Sequence, residues 1–154
     1  MKKLMMCALS AAMVTACGDN DGGGGEEFEM PDPGVCICNE GGFGATAPAG
    51  RLDFTHFKTA EHQQAVFLRA NGSAIGKGFQ SMTIINDKAY ACLMEDGKVV
   101  VFDPETFQNI ATTTDLGTPS YVIPVSRAKM YVADKYSTDL TVVDLDTHKK
   151  TGTI

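Results

Sequence analysis

Six residue pairs recur at one offset of 41 positions: Lys88 and Lys129, Tyr90 and Tyr131, Val101 and Val142, Asp103 and Asp144, Thr106 and Thr147, Thr112 and Thr153. They fall among short runs rich in Val, Ile, Thr, Tyr and Phe: Val35–Cys38, Leu52–Phe57, Met82–Ile85, Lys88–Leu93, Lys98–Phe102, Ile110–Thr114, Tyr121–Val125, Met130–Ala133 and Leu140–Leu145. Turn residues such as Asn86-Asp87, Asp96-Gly97, Leu116-Gly117 and Ser137 separate the runs, and no stretch carries a strong helical period. The chain therefore reads as all-β. A repeat near 40 residues with about four strands per unit is the signature of a β-propeller blade. A β-sandwich needs no such constant offset.

One blade reads as Ser81–Ile85 (inner strand), Lys88–Leu93, Lys98–Phe102 and Gln108–Thr114 (outer strand). Asp103-Pro104-Glu105-Thr106 and Asp144-Leu145-Asp146-Thr147 become equivalent turns between third and fourth strands. A leading Asp accepts backbone N–H bonds in such a turn, so these carboxylates are read as turn formers rather than catalysts. A divergent first unit aligns Cys36-Ile37-Cys38 with Tyr90-Ala91-Cys92, and Phe57 with Phe102.

The first residues form an address rather than a fold. Met1-Lys2-Lys3 precedes an apolar run from Leu4 to Val14, too short to span a bilayer and ordered like a secretory signal. The run ends Val14-Thr15-Ala16-Cys17, which resembles the lipobox of bacterial lipoproteins. That resemblance implies cleavage after residue 16 and lipidation of Cys17; the competing reading is an ordinary secretory signal with an incidental Cys. Acylation at more than one position would anchor the protein firmly. Residues 17–34, with four consecutive glycines and then Glu26-Glu27, bury too little apolar surface to fold and read as a tether. Asp19-Asn20-Asp21-Gly22 lacks the ligand order and distal Glu of a calcium loop. The acidic stretch after Cys17 resembles the export signal of surface lipoproteins in anaerobic gut bacteria, which implies an outer-membrane, surface-exposed location. The domain order is then signal 1–16, lipidated Cys and tether 17–34, and propeller blades 35–154.

Charge and cysteine usage narrow the function. The whole chain of 154 residues carries a net charge of −6, and removing residues 1–16 leaves 11 basic against 19 acidic residues. No basic footprint for nucleic acid is present. Cys36, Cys38 and Cys92 remain after processing. Cys36 and Cys38 sit two apart on one strand, facing one side and poorly placed to pair, so all three are read as small buried hydrophobes. No His or second Cys pair stands at zinc-ligand spacing. His56, His62 and His148 show no triad or metal spacing and are read as solvated. Ser73 and Ser81 lack a nucleophile elbow, and Asn71–Gly78 lacks the order of a phosphate loop. The expectation is a non-enzyme without cofactor or metal.

Val35-Cys36-Ile37-Cys38-Asn39-Glu40-Gly41 followed by Gly42-Phe43-Gly44, then Asn71-Gly72, Gln80-Ser81-Met82 and Tyr131-Val132-Ala133-Asp134, resemble YncE-like propeller lipoproteins with WD40/YVTN-type repeats. The resemblance covers residues 35–154 and implies a seven-bladed propeller. Within that group it points to BtuG-like surface proteins, which implies capture of vitamin B12 or related corrinoids and transfer to a TonB-dependent outer-membrane transporter. Two departures stand out: Pro119-Ser120-Tyr121 where the family pattern tends to Pro-Arg-Tyr, and cysteines at 36 and 38. Roughly two and a half to three blades are expected here, incomplete at the C-terminal end. Open-ended repeats expose sheet edges and an uncovered apolar face, which invites self-association.

In a propeller the loops leading into the inner strands and those between second and third strands share one face. Here those are residues 39–50, 70–80, 94–97, 116–120 and 135–139. Large neutral ligands are held by aromatic faces with a few amide or hydroxyl groups. The candidate ligand-binding residues are therefore Asn39, Glu40, Gln80, Ser81, Ser120, Tyr121, Asp134 and Tyr136. The alternative function is a protein-interaction or glycan- or peptide-binding propeller in a cell-surface complex.

Overall fold

A computed structural model describes residues 34–154. The signal, Cys17 and nearly all of the tether lie outside the described residues. Three antiparallel sheets follow one another along the chain. The first contains β1 (Gly34–Asn39), β2 (Arg51–His56) and the two-residue β3 (His62–Gln63), followed by a short helix α1 (Val66–Asn71). The second contains β4 (Phe79–Ile85), β5 (Lys88–Leu93), β6 (Lys98–Phe102) and β7 (Asn109–Thr113). The third contains β8 (Pro119–Pro124), β9 (Lys129–Asp134), β10 (Leu140–Asp144) and β11 (Lys150–Thr153). In the second and third sheets each strand pairs with its sequence neighbour, and the inner strands β4 and β8 lie against each other.

The 41-residue period is a structural period. Tyr90 pairs with Val101, and Tyr131 pairs with Val142. Bulges recur at Val101/Phe102 and Val142/Val143, and at the heads of β4 and β8. The Asp turns are the same object twice. Asp103 Oδ1 accepts from the N–H groups of Glu105 (2.8 Å) and Thr106 (2.9 Å), and Asp144 Oδ1 from those of Asp146 (3.1 Å) and Thr147 (2.8 Å). Phe107 and His148 close the two turns with φ of 59° and 57°.

Strand alternation makes the second sheet the filling between its neighbours. Ala89, Ala91, Leu93, Val100 and Phe102 face the first sheet and pack with Leu52, Phe54, Phe67 and Phe79. Tyr90, Cys92, Val99 and Val101 face the third sheet and pack with Val122, Met130, Val132 and Val143. Each large buried side chain contributes about 1.5–3 kcal/mol. A slip of one residue in β5 would exchange the two sets, so both cores fix its register.

The first sheet departs from the alignment expected for it. Cys36 pairs with Phe54, so Phe54 stands where Val101 stands in the second sheet and is buried, whereas Phe57 is 55 % exposed. β1 lies against β4 as β5 lies against β8, which makes β1 a second-strand equivalent. α1 interrupts an otherwise all-β chain. Asp53 Oδ1 accepts from Ala65 N–H (2.8 Å) at its start, Phe67 packs edge-on against Phe102, and Gly72 ends it at φ 70°. Six residues are too few to show a helical period, so tertiary packing makes this helix. His56 and His148 are buried rather than solvated: His56 packs edge-on against Phe54, and His148 lies 5.9 Å from the Tyr90 ring.

Candidate functional site

The five loops expected on one face are bonded to one another there. Gly44 N–H donates to Glu95 Oε1 (3.0 Å), and Lys77 Nζ donates to the carbonyls of Gly44 (3.0 Å) and Ala45 (2.8 Å). Met94 N–H reaches Gly78 O, Leu116 N–H reaches Gly97 O, and Lys135 N–H reaches Thr118 O, at 2.8–3.1 Å. This lacing runs from the first sheet to the third.

A carboxylate fastens the approach to each complete inner strand. Asp96 Oδ2 accepts from Lys77 N–H (3.0 Å) and pairs with Lys98 Nζ (2.9 Å). Asp134 accepts from Thr118 N–H (2.6 Å), Thr118 Oγ1 (2.6 Å) and Tyr136 N–H (2.8 Å). Burial raises the pKa of both carboxyls, and these donors outweigh it, so both sit below the ordinary carboxylate value. Gly76 and Gly117 pass beside them at φ 139° and 69°, where an added Cβ would run into Asp96 and Asp134.

The eight candidate residues divide. Asn39 Nδ2 donates to Asp53 Oδ2 (3.0 Å), part of a knot around the buried Asp53 carboxylate in which Arg51 Nε (3.1 Å) and Nη2 (2.8 Å) also reach that oxygen. Burial opposes ionisation of Asp53, but Ala65 N–H, Arg51 and Asn39 hold its pKa below the ordinary value. Glu40 and Gln80 are half-buried at the loop end, where Glu40 O accepts from Phe79 N–H (3.2 Å). Ser81 Oγ donates to Ser120 O (2.6 Å), and Ser120 is itself buried. Asp134 is committed to Thr118 and Tyr136 as described. Tyr121, 57 % exposed, alternates with buried Val122 and projects from the side of the third sheet rather than from the loop end. Tyr136 is 78 % exposed, with Lys135 Nζ 5.6 Å from its ring centroid.

Sequence reasoning missed Phe43, 60 % exposed in the 39–50 loop, and the bridging Lys77. Phe43 stood in the Gly-Phe-Gly motif, so its signal was visible. Lys77 lay in the glycine-flanked stretch set aside as a poor phosphate loop, and its role depends on a loop more than 30 residues away. Cavities of about 210 and 270 Å³ flank α1, the first lined by apolar groups such as Leu52, Phe67 and Ile75, the second by Asn71, Ser73, Lys98 and Asn109. Both are smaller than pockets that enclose a drug-sized molecule. Among the described residues no three His, Cys, Asp or Glu side chains converge as a metal site. Burial pushes the thiols of Cys38 and Cys92 up to about 11, far from nucleophilic use at neutral pH.

Successive antiparallel sheets, packed side by side with their inner strands adjacent and their loops gathered at one end, define a β-propeller architecture. Within it, the chain belongs to the family described as Domain of unknown function (DUF5074), whose model matches residues 33–154. No curated protein matches the chain. Among solved structures it is similar to the Kuenenia stuttgartiensis hydrazine synthase, with a TM-score of 0.55 and 18 % identity, over 67 % of this chain and 29 % of that one. It is also similar to the dihydro-heme d1 dehydrogenase NirN in complex with DHE, with a TM-score of 0.51 and 7 % identity, over 76 % of this chain and 28 % of that one. At such identities these likenesses speak for the fold alone. The chain spans less than a third of the length of either structure.

Proposed function

We propose that this chain is part of a non-enzymatic, ligand-capturing propeller, held at the outer-membrane surface through Cys17 and its tether. The observation that carries this reading is the laced loop face, from which Phe43 and Tyr136 project into solvent. Aromatic faces on a rigid platform suit a large, mostly neutral ligand, because stacking stabilises contact without ordering new backbone. The Asp134, Ser81 and Asn39 side chains are consumed by internal bonds, so direct ligand contacts fall to Phe43, Glu40, Gln80 and Tyr136. The resemblance of the opening motif to BtuG-like lipoproteins makes a corrinoid the favoured ligand and a TonB-dependent transporter its recipient.

Titration with cyanocobalamin, followed calorimetrically, tests the ligand. Saturable binding is expected, weakened about tenfold or more by Tyr136→Ala or Phe43→Ala. No binding by the complete propeller, in calorimetry and in equilibrium dialysis alike, would remove the corrinoid.

A further inference from the structure

The first sheet and its exit are longer than the repeat, and the surplus builds a polar cavity at the seam with the second sheet. β1 and β5 begin at residues 34 and 88, 54 apart, whereas β5 and β9 begin at 88 and 129, 41 apart. Much of the surplus is the segment 64–78 between β3 and β4, which contains α1. Its counterpart between β7 and β8 is only 114–118. In a stack of repeats extra length is carried in loops, and long ordered connections are where binding groups concentrate.

The inserted segment is strapped to the second sheet at both ends. At the outer edge Asn71 Nδ2 donates to Phe107 O (2.7 Å), Asn71 Oδ1 accepts from Asn109 N–H (2.8 Å), and Gln108 Nε2 donates to Ala70 O (2.7 Å). At the loop face Lys77 N–H is held by Asp96 (3.0 Å). The cavity of about 270 Å³ lies between these fastenings. The insertion lines it with Phe67, Ser73 and Ile75, and the second sheet lines it with Lys98, Val100 and Thr112. Both walls are formed within residues 67–112, where the first two sheets meet. Walls tied in this way are set before a ligand arrives, which lowers the ordering cost of binding.

We infer that this cavity binds a neutral, hydroxyl-rich ligand the size of one hexose ring. The hydroxyls of Ser73 and Thr112 make no hydrogen bond among the described residues, and each can both donate and accept. A sugar hydroxyl matches them because it does both as well. Lys98 Nζ supplies further donors, but Asp96 Oδ2, 2.9 Å away, balances its charge, which favours a neutral ligand over an anion. Phe67, Ile75 and Val100, all buried, give an apolar floor for the C–H face of the ring. An apolar cavity of about 150 Å³ holds benzene. The larger volume here admits a six-membered ring with its hydroxyl groups. Ser73 and Thr112 are exposed and mark the mouth. None of the loop-face residues assigned to the corrinoid lines this cavity.

Saturation-transfer NMR on the complete propeller tests this, with glucose, galactose, mannose and their methyl glycosides as probes. Saturable binding in at least one hexose series is expected. Retention of the methyl glycoside assigns the site to the end of a glycan chain, and retention of the free hexose alone assigns it to a free sugar. Ser73→Ala and Thr112→Val should each weaken binding about fivefold, the worth of one hydrogen bond. Both positions are exposed, so an unchanged thermal midpoint checks that folding is intact. Thr112→Leu, which fills the cavity, should weaken binding further. Excess cyanocobalamin should leave the sugar signal unchanged, so this inference and the corrinoid reading stand or fall separately. No binding by any probe overturns the inference. So does binding indifferent to all three substitutions, displacement by cyanocobalamin, or tighter binding of glucose 6-phosphate than of glucose, which marks an anion site.

Discussion

The hydroxyl of Ser81 donates a 2.6 Å hydrogen bond to the backbone carbonyl of Ser120, joining two inner strands 39 positions apart. Both residues sit at the bulges that open β4 and β8, where the strand ladder skips a residue. The bulge turns Ser120 out of the ladder, and Ser81 takes up the carbonyl that the third sheet exposes to its neighbour. Thr113 Oγ1 does the same at the outer edge, donating to His148 O at 2.7 Å. The second and third sheets are therefore tied at both margins, with the apolar core between.

Ser81→Ala removes the inner tie and leaves the Ser120 carbonyl partly buried without that donor. A loss of about 1–2 kcal/mol is expected, because a net hydrogen bond contributes about 1 kcal/mol and the orphaned acceptor adds to it. Thermal unfolding should show a midpoint a few degrees lower. An unchanged midpoint would mean that water replaces the hydroxyl at no cost.

Gly117→Ala and Gly44→Ala separate backbone strain from collision. Both glycines have positive φ, 69° and 95°. A Cβ at 44 meets nothing within 4 Å, whereas one at 117 strikes the Asp134 carboxylate. Gly44→Ala should cost about 1 kcal/mol and Gly117→Ala at least twice that, because it also displaces the Asp134–Thr118 bonds. Urea denaturation of the two variants compares them directly.

His148 is buried, and its Nδ1 has no hydrogen-bond partner among the described residues. Burial and then Lys88 lower its pKa, against weaker opposing pulls from Asp144 and Asp146. A base with a lowered folded-state pKa leaves the unfolded chain the better proton acceptor. Its contribution is complete above the unfolded value of about 6.5 and is lost as pH falls toward the folded value. Unfolding free energy should therefore decline from pH 7.5 to 5.5, before most carboxylates titrate. His148→Asn, which tolerates the positive φ, should flatten that decline.

A second acid transition belongs to Asp53, Asp96, Asp103, Asp134 and Asp144, whose pKa values all lie below the ordinary carboxylate value. Their donors stabilise the ionised form, so the stability they contribute is present above about pH 4 and is lost as pH falls through the folded-state values. Asp134→Asn should lower stability at pH 7 while reducing the further loss between pH 4 and 2. Chemical denaturation at the three pH values checks the sign.

The strands of the second and third sheets were legible because their signals are local. Alternation assigns Tyr90 and Ala91 to opposite faces, and the Asp103 and Asp144 turns close on N–H groups within three residues. The face shared by the loops followed from strand order alone. The first sheet was harder to read: Phe54 rather than Phe57 is buried because β1 pairs with Arg51–His56 in a register no local pattern encodes. α1 forms because Phe67 finds Phe102 and Asp53 holds its start, contacts made across 35 and 12 positions.

The candidate site divides along the same line. Residue chemistry marked Asn39, Ser81, Ser120 and Asp134 as polar groups near a ligand face, and that placement came from the repeat. Whether each group remains available depends on partners elsewhere in the chain: Asp53 for Asn39, Ser120 for Ser81, Thr118 for Asp134. Period and turn chemistry act within a few residues and can be read directly from the order of amino acids. Saturation of a polar group, burial of a histidine and exposure of Tyr121 depend on which distant strand arrives beside it, and packing of the three sheets settles that.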